Sequence, residues 1–410
     1  MINSGDTTWI LISTALVCLM TPALAFFYGG MVRRKNVLST LMQCFIILCL
    51  VSLQWIVFGY SLAFGPDKNG MIGGLEWAGL KGVGLTPYAP YAPTIPHQLY
   101  MAFQMMFAVI TPALIIGSFA ERIKFSGFLI FTLLWITLVY DPIAHWVWGI
   151  GGWLHNLGVL DFAGGTVVHI NAGIAALITA LVIGRREGYS NEPMPPHNLP
   201  FTVLGAGLLW FGWFGFNAGS ALAANGIAVS AFVATNTAAA AAGLMWTILE
   251  WSRNGTPTIF GLATGAVAGL VAITPAAGYV SPMSAIYIGI GVSILCYLFV
   301  SRVKTYFRYD DSLDAFGVHG IGGIFGALAT GLLAEKAINP GGDNGLFFGN
   351  PKVFLVQVYA VLATLTYSGI MTFLLFKLVD YFVGIRVNKK DEYIGLDLSQ
   401  HREAGYTVLE

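Results

Sequence analysis

Two histidines occupy the same local frame inside long apolar stretches of the chain. His169 lies in the segment VHINAG and His319 lies in the segment VHGIGG. Both stretches are long enough to cross a bilayer, and an ionisable side chain at that depth is costly enough to need a function. The shared V-H-x-x-x-G frame predicts an internal repeat that brings the two imidazoles to equivalent positions, as in transporters with inverted repeats.

Several kinds of chemistry are open to such a pair. Two imidazoles are too few ligands for a zinc site, and we expect neither a metal nor a cofactor. Two separate helix-packing histidines are the plain alternative. Two neutral imidazoles could instead share a proton and resist protonation, because a second buried charge would lie beside the first. The pair therefore indicates a channel or carrier for a solute small enough to pass between two imidazoles.

Aromatic residues form a second candidate group. Phe103, Phe107 and Trp148 lie in apolar stretches, as does the run WFGWFGF at 210–216. An interfacial aromatic belt would explain each Trp by itself. The faces of these rings could also hold a small cation that has lost part of its water, and the hydroxyl of Ser220 could accept a hydrogen bond from an N–H donor.

An acidic residue precedes each histidine stretch. Asp161 stands before the first in the segment LDFAGG, and Asp311 and Asp314 stand before the second. A helix N-cap is the plain interpretation of Asp161. A fixed negative charge that attracts cations to an outer vestibule is an equally open and compatible one.

The composition identifies the medium that surrounds these residues. Of 410 residues, 56% are hydrophobic and 10% are charged, and the net charge is +0. Soluble domains have about a quarter charged residues, so the composition is typical of a membrane protein. Without a basic excess, a nucleic-acid partner is not expected. The four cysteines lie in apolar runs, as buried hydrophobic residues do: Cys18, Cys44, Cys49 and Cys296.

Stretches of about 20 apolar residues predict membrane-spanning helices. We predict an all-α protein with eleven of them, at about 8–30, 37–64, 97–120, 125–148, 162–184, 200–222, 227–250, 257–277, 281–303, 314–335 and 352–384. Only Lys68, Lys81, Lys336 and Lys352 among the 20 basic residues fall on the side opposite the first interhelical loop. Because basic residues are enriched in loops on the cytoplasmic side of a membrane, the N-terminus is predicted outside and the C-terminus inside.

A second echo supports the repeat. The tetrapeptide ITPA occurs at 110–113 in the third span and at 273–276 in the eighth. The third and eighth spans, like the fifth and tenth, are an odd number of crossings apart, which predicts an inverted 5+5 repeat plus one helix. Within a transmembrane domain at 1–385, the first repeat covers about 8–184, the second about 200–335, and the extra helix about 352–384. A cytoplasmic tail follows at 386–410.

Several segments resemble the Amt branch of the ammonium transporter (Amt/Rh) family. They are FFYGG at 26–30, AER at 120–122, LDFAGGTVVHIN at 160–171, WFGFNAGS at 213–220 and FGVHG at 316–320. The resemblance covers nearly the whole chain. It implies a homotrimer in the cell (inner) membrane. Each protomer would bind ammonium, or methylammonium as its analogue, remove a proton and conduct ammonia.

The resemblance also implies roles for individual residues. Phe107, Trp148 and Ser220 would form the outer ammonium site, Phe107 and Phe216 a stacked gate below it, and His169 and His319 the twin histidines of the pore. Asp161 would support the vestibule.

The tail at 394–406 resembles the family's cytoplasmic tail motif, although Gly405 replaces the usual Ala before Tyr406. We expect an ordered tail beside the cytoplasmic loops, with its carboxylates near Arg185 and Arg186. The family implies that a trimeric nitrogen-regulatory signal protein docks on this face. An ammonium sensor that signals to such a protein is the rival hypothesis. An enzyme is not expected, because no H-E-x-x-H or G-x-S-x-G motif is present.

Overall fold

A computed structural model describes residues 1–406, and most of these residues are helical. Ten helices are long and apolar enough to cross a membrane, and an eleventh apolar helix is shorter. In chain order they are α1 Ser4–Met31, α2 Arg34–Phe64, α3 His97–Phe119, α4 Phe125–Leu157, α5 Gly165–Ile183, α6 Leu199–Gly219, α7 Gly226–Asn254, α8 Ile259–Ile273, α9 Pro282–Phe307, α10 Phe316–Leu333 and α11 Pro351–Val383. The predicted number and order of spans are confirmed.

Small elements fill the connections. Two antiparallel hairpins lie between α2 and α3, formed by β1 Asp67–Lys68 with β2 Ile72–Gly73 and by β3 Pro87–Tyr88 with β4 Ala92–Pro96. A 3-10 turn at Arg34–Asn36 forms the start of α2, and two more lie in connections at Ala78–Leu80 and Leu346–Phe348. A last short helix, α12 Lys389–Ile394, is in the tail. We call the side that carries the hairpins the outer side, following the charge count.

Some predicted boundaries were wrong. α8 ends at Ile273 rather than at residue 277, because turns follow from Thr274 and the carbonyl of Pro275 accepts a hydrogen bond from the backbone N–H of Phe162. α6 ends at Gly219 rather than at 222, where Leu222 adopts a φ of 54°. Hydropathy continues through both helix ends, so composition could not mark them.

Close contacts between helices depend on small residues, as is common in membranes. A Cβ added at Gly265 would lie 2.5 Å from the Cβ of Trp246, and one at Gly269 would lie 2.7 Å from the Cβ of Ala242. The glycine ridge of α8 therefore packs directly against α7.

The two histidine segments have the same local structure. Each span begins with a π-helical turn, Gly165–Ile170 in α5 and Phe316–Gly320 in α10. Asp161 caps the first turn, and Asp311 caps the second by accepting from the backbone N–H groups of Ala315 and Phe316. Asp311 is thus the equivalent of Asp161, whereas Asp314 pairs with Lys304 at 2.7 Å.

The tail is ordered and packs against the start of α2. The carboxylate of Asp397 accepts a hydrogen bond of 2.8 Å from the backbone N–H of Ser39, and the side-chain oxygen of Asn36 accepts one of 2.8 Å from Leu396. Since the first N–H groups of a helix have no partner within it, the tail supplies a cap to α2. A Cβ at Gly405 would lie 2.8 Å from Val37, so glycine allows a close approach there.

The tail reaches the predicted loop, although not through the side chains of its two arginines. The Glu392 carboxylate pairs with Arg386 at 2.9 Å and accepts from the backbone N–H of Glu187, not from Arg185 or Arg186. Arg186 is already paired with Asp310. Residues 407–410, including Glu410, lie outside the described residues.

Candidate functional site

An open cavity lies at the outer ends of the helices and holds all three residues predicted for the outer site. Phe107 of α3, Trp148 of α4 and Ser220, just after α6, line it together with Asp161. Its volume is about 480 Å³. The rings of Phe107 and Trp148 are 5.8 Å apart and nearly perpendicular, at 88°. Two aromatic surfaces and a hydroxyl thus face one space that a small cation could enter.

Hydrogen bonds fix the polar atoms of this vestibule. The Ser220 hydroxyl donates to the carbonyl of Phe216 at 2.8 Å, so its remaining lone pairs are available to accept from an N–H donor. The indole N–H of Trp148 donates to the carbonyl of Asp161 at 2.9 Å. With its N–H used, Trp148 offers mainly its ring face, which suits a cation.

Two phenyl rings close the floor of the vestibule. Phe107 and Phe216 have ring centroids 4.3 Å apart at an interplanar angle of 35°, and both are buried. Phe107 lines the vestibule above and Phe216 lines the next cavity below. The structure therefore brings together the two rings that were predicted as a gate.

Beneath the rings is a narrow cavity that contains both histidines. It is lined by His169, His319 and apolar side chains of α1, α3, α6 and α8. Its volume is about 10 Å³, which is near the lower limit for one water-sized sphere. The imidazoles are nearly parallel, at 12°, with centroids 5.4 Å apart. The cavity at this depth has room for no more than about one water-sized molecule.

The two imidazoles form no hydrogen bond with each other in the described structure. Both ring nitrogens of His169 and the Nδ1 atom of His319 are buried. None of these three atoms has a hydrogen-bond partner among the described residues. The two imidazole rings lie face to face. Buried polar atoms usually have partners, so these nitrogens are available to a molecule in the cavity.

The second half of the V-H-x-x-x-G frame explains how the two histidine segments cross. A Cβ at Gly173 would overlap the backbone of Gly320, and one at Gly323 would lie 3.0 Å from the Cβ of His169. Each glycine therefore packs against the histidine segment of the other repeat. In both repeats, the glycine that accommodates the other histidine segment therefore follows the histidine by four residues.

Asp161 acts as a cap. Its carboxylate accepts hydrogen bonds from the backbone N–H groups of four residues, at 164–167, and it is only 6% exposed. Burial raises the pKa of Asp161, while the backbone N–H groups lower it. The N-cap interpretation is thus observed directly. Its backbone carbonyl also holds Trp148, which links the cap to the vestibule.

Below the histidines the path widens again. An inner cavity of about 170 Å³ shares His319, Phe27 and Val267 with the narrow cavity and continues past Glu250 and Asp314. Trp213 lines the narrow cavity, lies parallel to His169 with centroids 5.5 Å apart, and donates its indole N–H to Thr274. The sequence included Trp213 only within an aromatic run, since nothing in its residue type separates a pore-lining ring from a core ring.

The cytoplasmic loops are joined by buried charges. Arg186 binds Asp310 through two hydrogen bonds of 2.9 Å, and Glu121 pairs with Arg33 at 2.6 Å. Burial raises the pKa of Asp310, but the hydrogen bonds of Arg186 and the charge of Arg122 lower it further, so the net shift is downward. Burial lowers the pKa of Arg122 to about 10.

No group of three or more His, Cys, Asp or Glu side chains within residues 1–406 is arranged to hold a metal ion. The vestibule, the paired rings and the two cavities beneath them follow one another across the helical bundle. This series has polar groups at both ends and neutral groups in the middle.

Comparisons with known proteins agree with this arrangement. The sequence profile of the Ammonium Transporter Family matches residues 8–406. An ammonium transporter of Bacillus subtilis is 53% identical over 402 residues, covering 98% of both chains. The ammonium transporter Amt1 of Archaeoglobus fulgidus is 50% identical, covering 99% of this chain and 100% of its own.

Solved structures show the same fold. The crystal structure of Saccharomyces cerevisiae Mep2 matches with a TM-score of 0.89 and 36% identity, covering 95% of this chain and 88% of that one. A sensor Amt protein matches with a TM-score of 0.88 and 28% identity, covering 97% and 98%. This chain is a multi-pass membrane protein that belongs to the ammonium transporter family.

Proposed function

We propose that this protein recruits ammonium at the outer vestibule, removes its proton and conducts ammonia past the histidine pair. The observation that carries the proposal is the sequence of environments along one path. A vestibule with aromatic faces and a hydroxyl is followed by stacked phenyl rings and then by a cavity of about 10 Å³ lined by apolar groups and two imidazoles.

The physical argument concerns charge. A cation entering the narrow cavity would lose its water and meet no carboxylate there, which makes its transfer costly. Ammonia is neutral and both donates and accepts hydrogen bonds, so the unpaired imidazole nitrogens of His169 and His319 suit it. Phe107, Trp148 and Ser220 are proposed to hold ammonium before it loses its proton, because cation–π attraction and an acceptor hydroxyl favour a charged N–H donor.

Charge movement tests this function. Purified protein in proteoliposomes on a solid-supported membrane should give no current after a potassium jump. An ammonium jump of equal size reports the fate of the proton: a current shows that the proton crosses the membrane as well as ammonia, and uptake without a current shows that the proton returns to the outer solution. Uptake of labelled methylammonium in the same vesicles reports the transported nitrogen. Absence of both signals in folded protein would contradict the proposal.

A sensor is the second candidate, because a structural relative carries that description and the tail is docked on the loops. Cells in which this is the sole family member separate the two. A transporter accumulates labelled methylammonium, whereas a protein that only senses does not.

We further propose that the protomer, with its transmembrane domain at 1–385, forms a homotrimer whose tail at 386–410 faces the cytoplasm. There it would bind a trimeric nitrogen-regulatory signal protein. This orientation rests on the concentration of basic residues on the side opposite the hairpins.

Deleting residues 386–410 tests the tail. Because Asp397 and Asn36 join the tail to the start of α2, its loss uncaps that helix, at a typical cost of about 1 kcal/mol. Transport should fall or escape regulation, while size-exclusion chromatography still reports a folded trimer. Asp397→Ala tests the cap separately and should reproduce part of the effect. If flux and inhibition by the signal protein are both unchanged, the tail has no part in the mechanism.

A further inference from the structure

A buried carboxyl group lies in the membrane interior outside the path described above. Asp141 of α4 is 0% exposed, and it lines neither the vestibule nor the two cavities beneath it. It precedes Trp148 of the vestibule by seven residues, which places it about 10 Å deeper in the membrane at 1.5 Å per residue. An ionisable side chain at that depth is costly, so its partner and its charge need to be identified.

The partner of this carboxyl is an amide from α2. The side-chain nitrogen of Gln54 donates to Oδ2 of Asp141 at 2.8 Å and to the hydroxyl oxygen of Thr137 at 3.3 Å. The Thr137 hydroxyl already donates its own proton to the carbonyl of Leu133 at 2.8 Å, so it can only accept from Gln54. Both amide protons of Gln54 are thus assigned, and its nitrogen is the atom that faces Asp141.

Two oxygen atoms of this pair remain without donors. Oε1 of Gln54 and Oδ1 of Asp141 are buried and have no hydrogen-bond partner among residues 1–406. Both atoms can only accept when Asp141 is ionised, and an isolated ionised carboxylate in an apolar interior is far more costly than a neutral acid. A single proton on Oδ1 that is donated to Oε1 satisfies both atoms. It also removes the charge and closes a ring of two hydrogen bonds between acid and amide.

The backbones of both helices are adapted at this contact. A π-helical turn at Trp55–Gly59 directly follows Gln54, and another at Ile136–Tyr140 directly precedes Asp141. Such turns are frequent at functional sites, because the inserted residue changes the face on which neighbouring side chains lie. Gly59 completes the fit, since a Cβ at this position would overlap the Gln54 carboxamide.

We propose that Asp141 is a proton-binding site separate from the path, and that it stays protonated at neutral pH in a closed ring with Gln54. The ring joins α2 to α4 below the vestibule, so it holds the helix that carries Trp148 without placing a charge in the membrane. Its neutral state bears on selectivity. Because charges act over long distances in a low-dielectric interior, a carboxylate at this depth would favour cations within the bundle. The assignment depends on the membrane-spanning fold but not on the proposed transport mechanism.

Infrared difference spectroscopy of the full protein in lipid tests the protonation state directly. The carbonyl stretch of a protonated acid is distinct from the bands of a carboxylate. Subtracting the spectrum of Asp141→Asn from that of the unchanged protein at neutral pH should therefore leave an acid band. Asp310→Asn is the matched control, because Asp310 is a buried carboxylate paired with Arg186, and its difference spectrum should contain carboxylate bands instead. Carboxylate bands in the Asp141 difference spectrum would overturn the proposal.

Thermal unfolding distinguishes the ring from an ionised carboxylate. Asn has the shape of a protonated Asp and can donate to Oε1 of Gln54, so Asp141→Asn should unfold at the midpoint of the unchanged protein. Asp141→Leu leaves the Gln54 amide unpaired and should lower the midpoint by a few degrees, and adding Gln54→Leu should recover most of that loss. An ionised Asp141 predicts the opposite, because Asp141→Leu would then remove an uncompensated charge and raise the midpoint. A rise in Asp141→Leu, or a fall in Asp141→Asn as large as in Asp310→Asn, contradicts the ring.

Transport measurements test whether the site is separate from the path. In vesicles that contain Asp141→Asn, methylammonium uptake and the exclusion of potassium should match those of the unchanged protein, because no charge has been removed. Loss of uptake in this variant, with its thermal midpoint unchanged, would show that the proton on Asp141 takes part in transport and would overturn the assignment. If Asp141→Leu does not fold, the infrared comparison still decides the protonation state, since it needs only the Asn variant.

Discussion

At the scale of single residues, the path combines neutral groups with ring faces. Phe107 and Phe216 stack above the histidines, and the buried nitrogens of His169 lack partners within the described chain. A hydrated ion finds no substitute for its water in such surroundings, whereas a small neutral molecule loses little. Selectivity and gating can therefore be tested one side chain at a time.

Phe216→Ala should open a leak for water and ions between the vestibule and the narrow cavity. Because the ring is fully buried, the truncation should also cost roughly 3–5 kcal/mol of stability. Currents after ammonium and potassium jumps measure the leak, and chromatography shows whether the less stable protein still assembles. Phe211→Ala on the same helix, where the ring is exposed, is the control and should transport normally. A well-assembled Phe216→Ala protein with unchanged transport would make the ring structural filler.

Replacing either His169 or His319 with Asp should weaken the discrimination against potassium. A carboxylate stabilises a partly dehydrated cation, which a neutral imidazole does not, so potassium flux should become measurable. Replacement with Gln introduces no charge and should leave potassium excluded, whatever it does to ammonium. The measurement is either potassium flux into vesicles or the growth of cells that depend on this protein for potassium. The selectivity argument fails if folded Asp variants at both positions still exclude potassium.

At the scale of helices, the site depends on two segments that cross. Both begin with a π-helical turn, and both are capped by an aspartate just before the turn. π-helical turns are frequent at functional sites because they reposition side chains within a helix. Here the glycine of each frame admits the backbone of the other segment, which sets the distance between the imidazoles.

Gly173→Ala adds only one methyl group, but it should impair transport strongly. The added Cβ would overlap the backbone of Gly320, so the two segments must separate and the rings must shift. We expect a clear loss of both methylammonium uptake and thermal stability. Gly207→Ala is the matched control, because no atom lies within 4 Å of its added Cβ and the change favours the exposed helix by up to about 1 kcal/mol. Equal behaviour of the two variants would remove the crossing from the mechanism.

At the scale of the whole molecule, buried charges and the tail join the cytoplasmic ends of the helices. Arg186 and Asp310 bring together the loops after α5 and α9, and Arg122 adds the loop after α3. Breaking a buried pair by removing one partner is typically costly, because the other charge stays buried.

Asp310→Asn should lower thermal stability at neutral pH by roughly 3–5 kcal/mol. Because the pKa of Asp310 is lower in the folded protein than its unfolded value of about 3.9, its ionised form stabilises the fold above that value. This contribution is lost as the pH falls through the folded pKa. Thermal unfolding followed from pH 7 to below about pH 4 should thus show the unchanged protein approaching the variant. A gap that stays constant across this range would contradict the role of Asp310.

The sequence by itself determined the membrane class, the eleven spans and the histidine pair. Hydropathy is a local property, so a window of about 20 residues is enough to detect a span. The repeated frame around His169 and His319 identified the repeat, and the long segment at 160–171 identified the family. Each of these inferences needs residue type and spacing but no contact between distant residues.

Only the tertiary structure decided how these residues meet. The stacking of Phe107 on Phe216, the crossing of Gly173 over Gly320 and the cap that Asp397 gives to α2 all join residues that are distant in the chain. The two imidazoles, which could have shared a proton, are likewise placed by packing, and the nitrogens of His169 have no hydrogen-bond partner among the described residues. Distances between side chains depend on how each helix is rotated and tilted against its neighbours, and packing at close-fitting glycines sets those angles, whereas composition does not.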